Sequence, residues 1–211
     1  QDFKMTAEQL EQAITPKTRM LILCSPSNPT GSVYSKEELR ALAEVILRHE
    51  DVYVLADEIY EHINYTGAHQ SIAQFEGMRE RTIIVNGVSK AYAMTGWRIG
   101  YIAAPEWIVK GCNKLQGQYT SGPSSVSQKA AEAAYTIDQS CVEEMRLAFE
   151  RRRNLIVELA RDIPGLEVNE PQGAFYLFPK CSSFYGKTDG VRTIATSSDL
   201  AMYLLEEAHV A

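Results

Sequence analysis

The chain has 211 residues and a formal net charge of −6, and 45% of its residues are hydrophobic. This length is enough for one sizeable core, or for one domain and part of another. The acidic balance argues against a nucleic-acid-binding surface, and no apolar run approaches the roughly 20 residues that a membrane helix needs. The four cysteines form no CxxC pair, which indicates reduced thiols in a cytoplasmic protein.

The first half of the chain alternates predicted helices with short predicted strands. Thr6 and Ser35 each begin a capping box, which predicts a helix to about Ile14 and a second helix after residue 35. Apolar residues at helical spacing from Leu39 to Leu47 make this second helix amphipathic. Buried strands are predicted at residues 20–23, 53–56, 82–85 and 99–104. This alternation is typical of an α/β protein with a largely parallel sheet.

The pattern changes at Ser124. Residues 124–161 have helical composition and few breakers, which predicts one long helix or two helices with a kink. Short strands are predicted at residues 166–168 and 174–178, followed by a helix at 199–207. These elements indicate the start of a smaller α+β domain. We expect residues 1–140 to belong to a partial large domain and residues 141–211 to a partial small domain, so that the chain is a fragment of a longer protein.

Polar residues follow three of the predicted strands. Asn28 comes after the first strand, Asp57 ends the second, and Ser89 and Lys90 follow the third. Ligands of open parallel sheets bind beyond the carboxyl ends of the strands, so we expect these residues to share one site. The four histidines show no metal-ligand spacing, which predicts that the protein has no metal site.

Three motifs carry a resemblance to a known family. Residues 87–100, GVSKAYAMTGWRIG, resemble the attachment signature for pyridoxal 5'-phosphate (PLP) in class I aminotransferases. Residues 25–31, SPSNPTG, resemble the Asn-Pro-Thr-Gly motif of that family, and residues 57–60, DEIY, its Asp-x-x-Tyr motif. Their order and spacing also match. The resemblance implies the PLP-dependent transferase fold of type I: a large domain with a mostly parallel sheet in three α/β/α layers, and a smaller α+β domain.

The resemblance also implies a role for each motif residue. Lys90 would carry PLP as a Schiff base and later transfer protons as base and acid. Asp57 would pair with the pyridine nitrogen of PLP and keep the ring electron-poor. Tyr60, three residues later, would donate a hydrogen bond to the phenolic oxygen of PLP. We expect one helical turn to place Asp57 and Tyr60 on the same face.

The remaining implied contacts involve the phenolic oxygen, the substrate and the phosphate. Asn28 would reach the phenolic oxygen and help to hold the substrate carboxylate, and the bond before Pro29 is expected to be cis. Arg98 would clamp the phosphate, because its planar guanidinium suits bidentate contact. Ser89 would add a hydroxyl donor to the phosphate.

The residues from Ala91 to Arg98 are most similar to the bacterial and plant type of aspartate aminotransferase. The resemblance therefore implies transfer of an amino group between an amino acid and a 2-oxo acid, with aspartate and 2-oxoglutarate as substrates, in a cytoplasmic homodimer. The same family also contains aminotransferases for aromatic amino acids, prephenate or alanine, and the same fold contains PLP lyases. A different class is a transcriptional regulator with a non-catalytic, aminotransferase-like sensor domain, which an upstream helix-turn-helix would indicate.

Several parts of the family pattern lie outside this sequence. An aromatic ring that stacks on PLP and a helix start that binds its phosphate are expected upstream. An arginine that grips the substrate α-carboxylate is expected downstream. We therefore expect the 211-residue chain to be inactive alone and to bind PLP poorly.

Overall fold

The computed structural model describes residues 2–210. Within this range one sheet contains the strands β1 (Met20–Cys24), β2 (Tyr53–Asp57), β3 (Thr82–Gly87) and β4 (Gly100–Ala103) in the order β1-β2-β3-β4. The first three strands are parallel, and β4 pairs with β3 in the antiparallel sense. The predicted strands and the mostly parallel sheet are therefore confirmed, with one antiparallel strand at the edge.

The described helices are α1 (Ala7–Ala13), α2 (Lys36–Leu47), α3 (Glu106–Tyr119), α4 (Ser125–Thr136), α5 (Ser140–Arg161) and α6 (Ser197–Glu207). Thr6 and Ser35 form the two predicted capping boxes. A third capping box starts at Thr196, so α6 begins two residues before its predicted start. The segment 124–161 contains two helices, α4 and α5, and not one long helix. The second of the two predicted alternatives is therefore correct. Among residues 2–210, no helix is both long and apolar enough to cross a membrane.

The main core lies between the sheet and helices α1 and α2. Leu42 and Ile46 on α2 are 1% and 0% exposed, and Val54 on β2 is 0% exposed. These side chains share one face because the helix repeats every 3.6 residues and the strand every two. On the other face, Ile22 of β1 is 71% exposed. At β1, the described residues therefore form the sheet and the helical layer on one side of it. They do not form the third predicted layer, on the side of Ile22.

Truncating Leu42 is expected to destabilise this core. Leu42→Ala removes a fully buried side chain from α2 and should lower the free energy of unfolding by about 2–5 kcal/mol. Leu115→Ala is the matched control, because Leu115 on α3 is 62% exposed and should change stability by no more than about 0.5 kcal/mol. Urea unfolding of the chain measures both. Equal losses would show that α2 does not pack as described.

The prediction of strands at residues 166–168 and 174–178 is wrong. Glu167 and Lys180 form only an isolated antiparallel bridge, and Gly173 forms another with Asn64. A strand needs a continuous neighbour for its backbone groups, and within residues 2–210 no such ladder runs beside these segments. The domain division between residues 140 and 141 coincides with the first turn of α5 and stays a prediction.

Candidate active site at the carboxyl edge of the sheet

The carboxyl ends of β1, β2 and β3 meet at one edge of the sheet. Cys24, the last residue of β1, is in register with Asp57, the last residue of β2. Asp57 is in turn in register with Val85 of β3. The chain segments that leave these strands, which carry Asn28 and Lys90, therefore start from the same edge, as parallel topology predicts.

The loop after β1 is tied to the end of β2. Ser25 N donates to the backbone oxygen of Asp57 at 3.2 Å, and Gly31 N donates to the oxygen of Ser27 at 2.9 Å. The Ser25–Pro26 and Asn28–Pro29 bonds are cis, so the prediction for Asn28–Pro29 is confirmed. Asn28 itself is exposed, so its side chain is accessible from solvent at the sheet edge.

A distant segment docks on this loop. Gln172 N and Gly173 N both donate to the backbone oxygen of Gly31, at 2.8 and 2.9 Å, and Ala174 N donates to that of Ile63 at 2.8 Å. Gly31 has a φ of +69°, and a β-carbon there would collide with Pro171. A glycine is required at this position both for its backbone conformation and for the close approach of the two segments.

Adding one methyl group at Gly31 is expected to weaken this docking. Gly31→Ala should lower the free energy of unfolding by about 2–5 kcal/mol, from overpacking and from a left-handed alanine. Gly186→Ala is the control, because Gly186 also has a positive φ of +82° but no neighbour within 4 Å of the added carbon. That variant should lose only the backbone contribution, about 1–2 kcal/mol. Equal losses in urea unfolding would contradict the docking argument.

The docked segment brings Tyr176 to the predicted site. Its hydroxyl lies 2.5 Å from the hydroxyl of Tyr60 and accepts a hydrogen bond from Asn28 Nδ2 at 3.3 Å. Tyr60 and Asn28, which belong to separate motifs, are therefore linked by hydrogen bonds through Tyr176. Tyr176 was missed in the sequence, where residues 174–178 were interpreted only as a strand.

Tyr60 is 2% exposed, and this burial raises the pKa of its phenol, with further contributions from its hydrogen bond with Tyr176 and, more weakly, from the negative charge of Asp57. The phenol therefore stays protonated at neutral pH and can donate a hydrogen bond. The chain after β2 makes hydrogen-bonded turns, rather than the predicted turn of helix. Asp57 Oδ1 accepts from Ile59 N at 3.2 Å, which fixes the carboxylate at the strand end.

Lys90 lies in the turn after β3, and its amine points towards aromatic rings. Lys90 Nζ is 5.8 Å from the centre of the Tyr60 ring and 5.7 Å from that of Phe175. At these distances the ring faces attract a cationic amine. Phe175 comes from the same docked segment as Tyr176 and was likewise missed in the sequence. Ser89 and Lys90 are both half-buried.

Arg98 belongs to the same loop as Lys90. Thr95 Oγ1 donates to the backbone oxygen of Ser89 at 2.9 Å, and Arg98 Nη1 donates to that of Thr95 at 3.0 Å. Arg98 has a left-handed backbone with a φ of 54°, a conformation that costs about 1–2 kcal/mol. Its side chain is exposed, so the rest of the guanidinium is accessible to an anion.

These groups fit PLP in chemical type. The cofactor requires an amine for its aldehyde, a carboxylate for its ring nitrogen, donors for its phenolic oxygen and cationic or hydroxyl donors for its phosphate. Lys90 would supply the amine and Asp57 the carboxylate. Tyr60 and Asn28 would supply donors, and both have Tyr176 as a neighbour. Arg98 would supply the cation.

A separate polar cluster lies beside the turn after β2. Glu58, Glu61 and His69 each place one ligand-type atom within 4.8 Å of the other two. His69 Nε2 is 3.1 Å from Glu58 Oε2, and Asn86 Nδ2 donates to Glu61 Oε1 at 2.8 Å. An ion-pair cluster accounts for this arrangement as well as a metal site would, so the absence of a metal stays a prediction.

The fold defines the protein as an α/β protein with a candidate ligand site beyond the carboxyl ends of its strands. The family model for aminotransferases of class I and II matches residues 1–211. The chain therefore belongs to the class I and II aminotransferase family, and the predicted resemblance is confirmed.

Curated relatives are similar over the whole chain. A bifunctional aspartate aminotransferase and glutamate/aspartate-prephenate aminotransferase of Petunia hybrida is 50% identical over 100% of the chain and 45% of its own length. An aspartate aminotransferase of Rhizobium meliloti is 50% identical over 99% of the chain and 52% of its own length. The chain thus spans about half the length of these relatives.

Solved structures give the same result. The crystal structure of the aspartate aminotransferase from Rhizobium meliloti has a TM-score of 0.94 at 49% identity, over 99% of this chain and 53% of that one. An aromatic aminotransferase from Pyrococcus horikoshii has a TM-score of 0.90 at 40% identity, over 100% of this chain and 54% of that one. The described elements therefore have the aminotransferase arrangement over about half of the neighbours' length.

Proposed function

We propose that this chain is part of a PLP-dependent aminotransferase that moves an amino group between aspartate and a 2-oxo acid such as 2-oxoglutarate. The observation that carries the proposal is the meeting of Lys90, Asp57 and Tyr60 at one sheet edge. This edge lies in a chain that is 50% identical to proteins named aspartate aminotransferases. We use the term full-length protein for a polypeptide of the relatives' length that contains this chain.

Asp57, Tyr60 and Asn28 would hold the ring of the cofactor. When bound, PLP supplies an electron sink for the carbon that loses its proton. The Asp57 carboxylate would face the ring nitrogen, and the Tyr60 hydroxyl would donate to the phenolic oxygen. Asn28, whose Nδ2 donates to the Tyr176 hydroxyl at 3.3 Å, would reach the same phenolic oxygen and help to hold the substrate carboxylate.

Lys90 would hold the cofactor and carry protons. Its amine lies 5.8 Å from the centre of the Tyr60 ring and 5.7 Å from that of Phe175, and the residue is half-buried. Once the substrate amine has displaced it, the Lys90 amine would take up and return the proton at the reacting carbon. Arg98 and Ser89, on the same loop, would hold the phosphate.

The assembly and the compartment are also proposals. The full-length protein would be a homodimer in the cytoplasm, with residues 1–140 in the large domain and 141–211 in the small domain. The four free cysteines are compatible with a reducing compartment. Because the chain spans about half of its relatives, we propose that it is inactive alone and binds PLP poorly.

A substrate comparison tests the proposal. The full-length protein, loaded with PLP, is mixed with aspartate, tyrosine or alanine in separate single-turnover reactions, and conversion of the cofactor to its amine form is followed by visible absorption. We expect aspartate to react fastest. The alternative is an aromatic aminotransferase, which the Pyrococcus horikoshii neighbour with its TM-score of 0.90 represents. Faster conversion by tyrosine would favour that alternative, and no conversion by any of the three would overturn the proposal.

A further inference from the structure

Tyr176 occupies a central position among the proposed cofactor-binding groups. Its hydroxyl is 2.5 Å from that of Tyr60 and 3.3 Å from Asn28 Nδ2. Tyr60 follows β2 and Asn28 follows β1. Tyr176 belongs to the docked segment, which comes much later in the sequence. Three separate parts of the sequence therefore share one hydrogen-bonded network, and Tyr176 is its middle member.

The position of Tyr176 is restrained by packing against two neighbouring rings. Its ring meets that of Tyr60 edge to face, with ring centres 5.8 Å apart, and contacts that of Phe175 at 4.9 Å. Ala174, two residues earlier, is fully buried and is held by its hydrogen bond to Ile63. A ring with these contacts has few alternative rotamers, so its hydroxyl stays at one place.

The donors in this network have a preferred direction. Asn28 Nδ2 can only donate, so the Tyr176 oxygen accepts from it. A hydroxyl that accepts one hydrogen bond becomes a better donor, which favours a head-to-tail chain from Asn28 through Tyr176 to the Tyr60 oxygen. In that arrangement the Tyr60 proton is not used inside the network. It is available to an acceptor beyond the network.

We propose that Tyr176 is a positioning residue of the active site, which donates to the Tyr60 oxygen and thereby directs the Tyr60 proton to the bound ligand. This inference rests on the proposed function, in which Tyr60 donates to the phenolic oxygen of PLP. In this proposal Tyr176 acts on the cofactor through Tyr60, because Asn28 donates one amide proton to Tyr176 and keeps the second for the phenolic oxygen. Loss of the Tyr176 hydroxyl should therefore matter mainly when the Tyr60 hydroxyl is present.

A double-mutant cycle on the full-length protein tests this dependence. PLP dissociation constants are measured for the wild type, Tyr176→Phe, Tyr60→Phe and the double variant. Tyr176→Phe should weaken PLP binding by about 3- to 10-fold, the range for one hydrogen bond. In the Tyr60→Phe background the same change should have almost no further effect. Tyr185→Phe is the control, since Tyr185 is 44% exposed and should leave PLP binding unchanged.

A spectroscopic readout separates positioning from a merely structural role. The pH midpoint of the visible absorption of the lysine-bound cofactor should shift in Tyr176→Phe in the same direction as in Tyr60→Phe, but by less. Unchanged or tighter PLP binding in Tyr176→Phe, or an equal loss in both backgrounds, would overturn the inference. If Tyr60→Phe itself leaves PLP binding and the midpoint unchanged, the proposed role of Tyr60 fails instead.

Discussion

Replacing Lys90 with alanine in the full-length protein is expected to abolish the covalent attachment of PLP and nearly all aminotransferase activity. The Lys90 amine lies 5.8 Å and 5.7 Å from the centres of the Tyr60 and Phe175 rings, and the proposed mechanism uses no other lysine. Loss of proton transfer alone should lower kcat by about 10²–10⁴-fold. Absorption spectra with added PLP, followed by the aspartate assay, measure both consequences.

Lys110→Ala is the matched control for Lys90→Ala. Lys110 lies on α3, its side chain is 72% exposed, and it pairs with Glu106 at 2.7 Å. A surface pair of this kind contributes at most about 1 kcal/mol, so both the visible band and the activity should be retained. A visible band of lysine-bound cofactor in Lys90→Ala would show that another lysine carries PLP. It would contradict the proposed attachment to Lys90.

Local signals predicted most of the elements around the site. Thr6 and Ser35 begin helices α1 and α2 because a capping box depends on only four consecutive residues. The buried strands β2 and β3 were recognised from short apolar runs, because strands buried on the core side contain few polar residues. The carboxyl ends of these strands then located Asp57 and Lys90, since parallel topology determines which ends meet.

Helix α3 was not predicted, for a physical reason. None of its residues from Glu106 to Tyr119 is buried among the described residues, so the helix lacks the core contacts that mark α2. Gly111 and Gly117 lie in its interior, and glycine lowers helix propensity by about 1 kcal/mol relative to alanine. A pattern based on burial therefore gives little indication of this helix.

The contribution of the docked segment could not be predicted from local sequence. Tyr176 meets Tyr60 and Asn28 only because backbone hydrogen bonds from Gln172 and Gly173 to Gly31 hold the segment against the loop after β1. Such contacts depend on the whole fold, whereas the apolar residues 174–178 alone favour a strand.

Removing the charge of Asp57 is expected to have the second largest effect on catalysis. Asp57→Asn keeps the size of the side chain and an oxygen that can accept from Ile59 N, which now donates to Asp57 Oδ1 at 3.2 Å. It removes the negative charge that would keep the cofactor ring nitrogen protonated. We expect kcat for aspartate to fall by about 10²–10³-fold, the range for losing one preorganised electrostatic partner, with a smaller loss of PLP affinity.

The control lies at the opposite end of the same strand. Asp51 precedes β2 and is 79% exposed in its side chain, 3.9 Å from Arg19, so Asp51→Asn should leave kcat unchanged. Because Asp57→Asn preserves the local hydrogen bond, its free energy of unfolding should stay within about 1 kcal/mol of the wild type. A large loss of kcat without a loss of stability would assign the effect to charge. If kcat instead stays within about threefold, Asp57 does not set the electronic state of the cofactor, although Lys90 could still bind it.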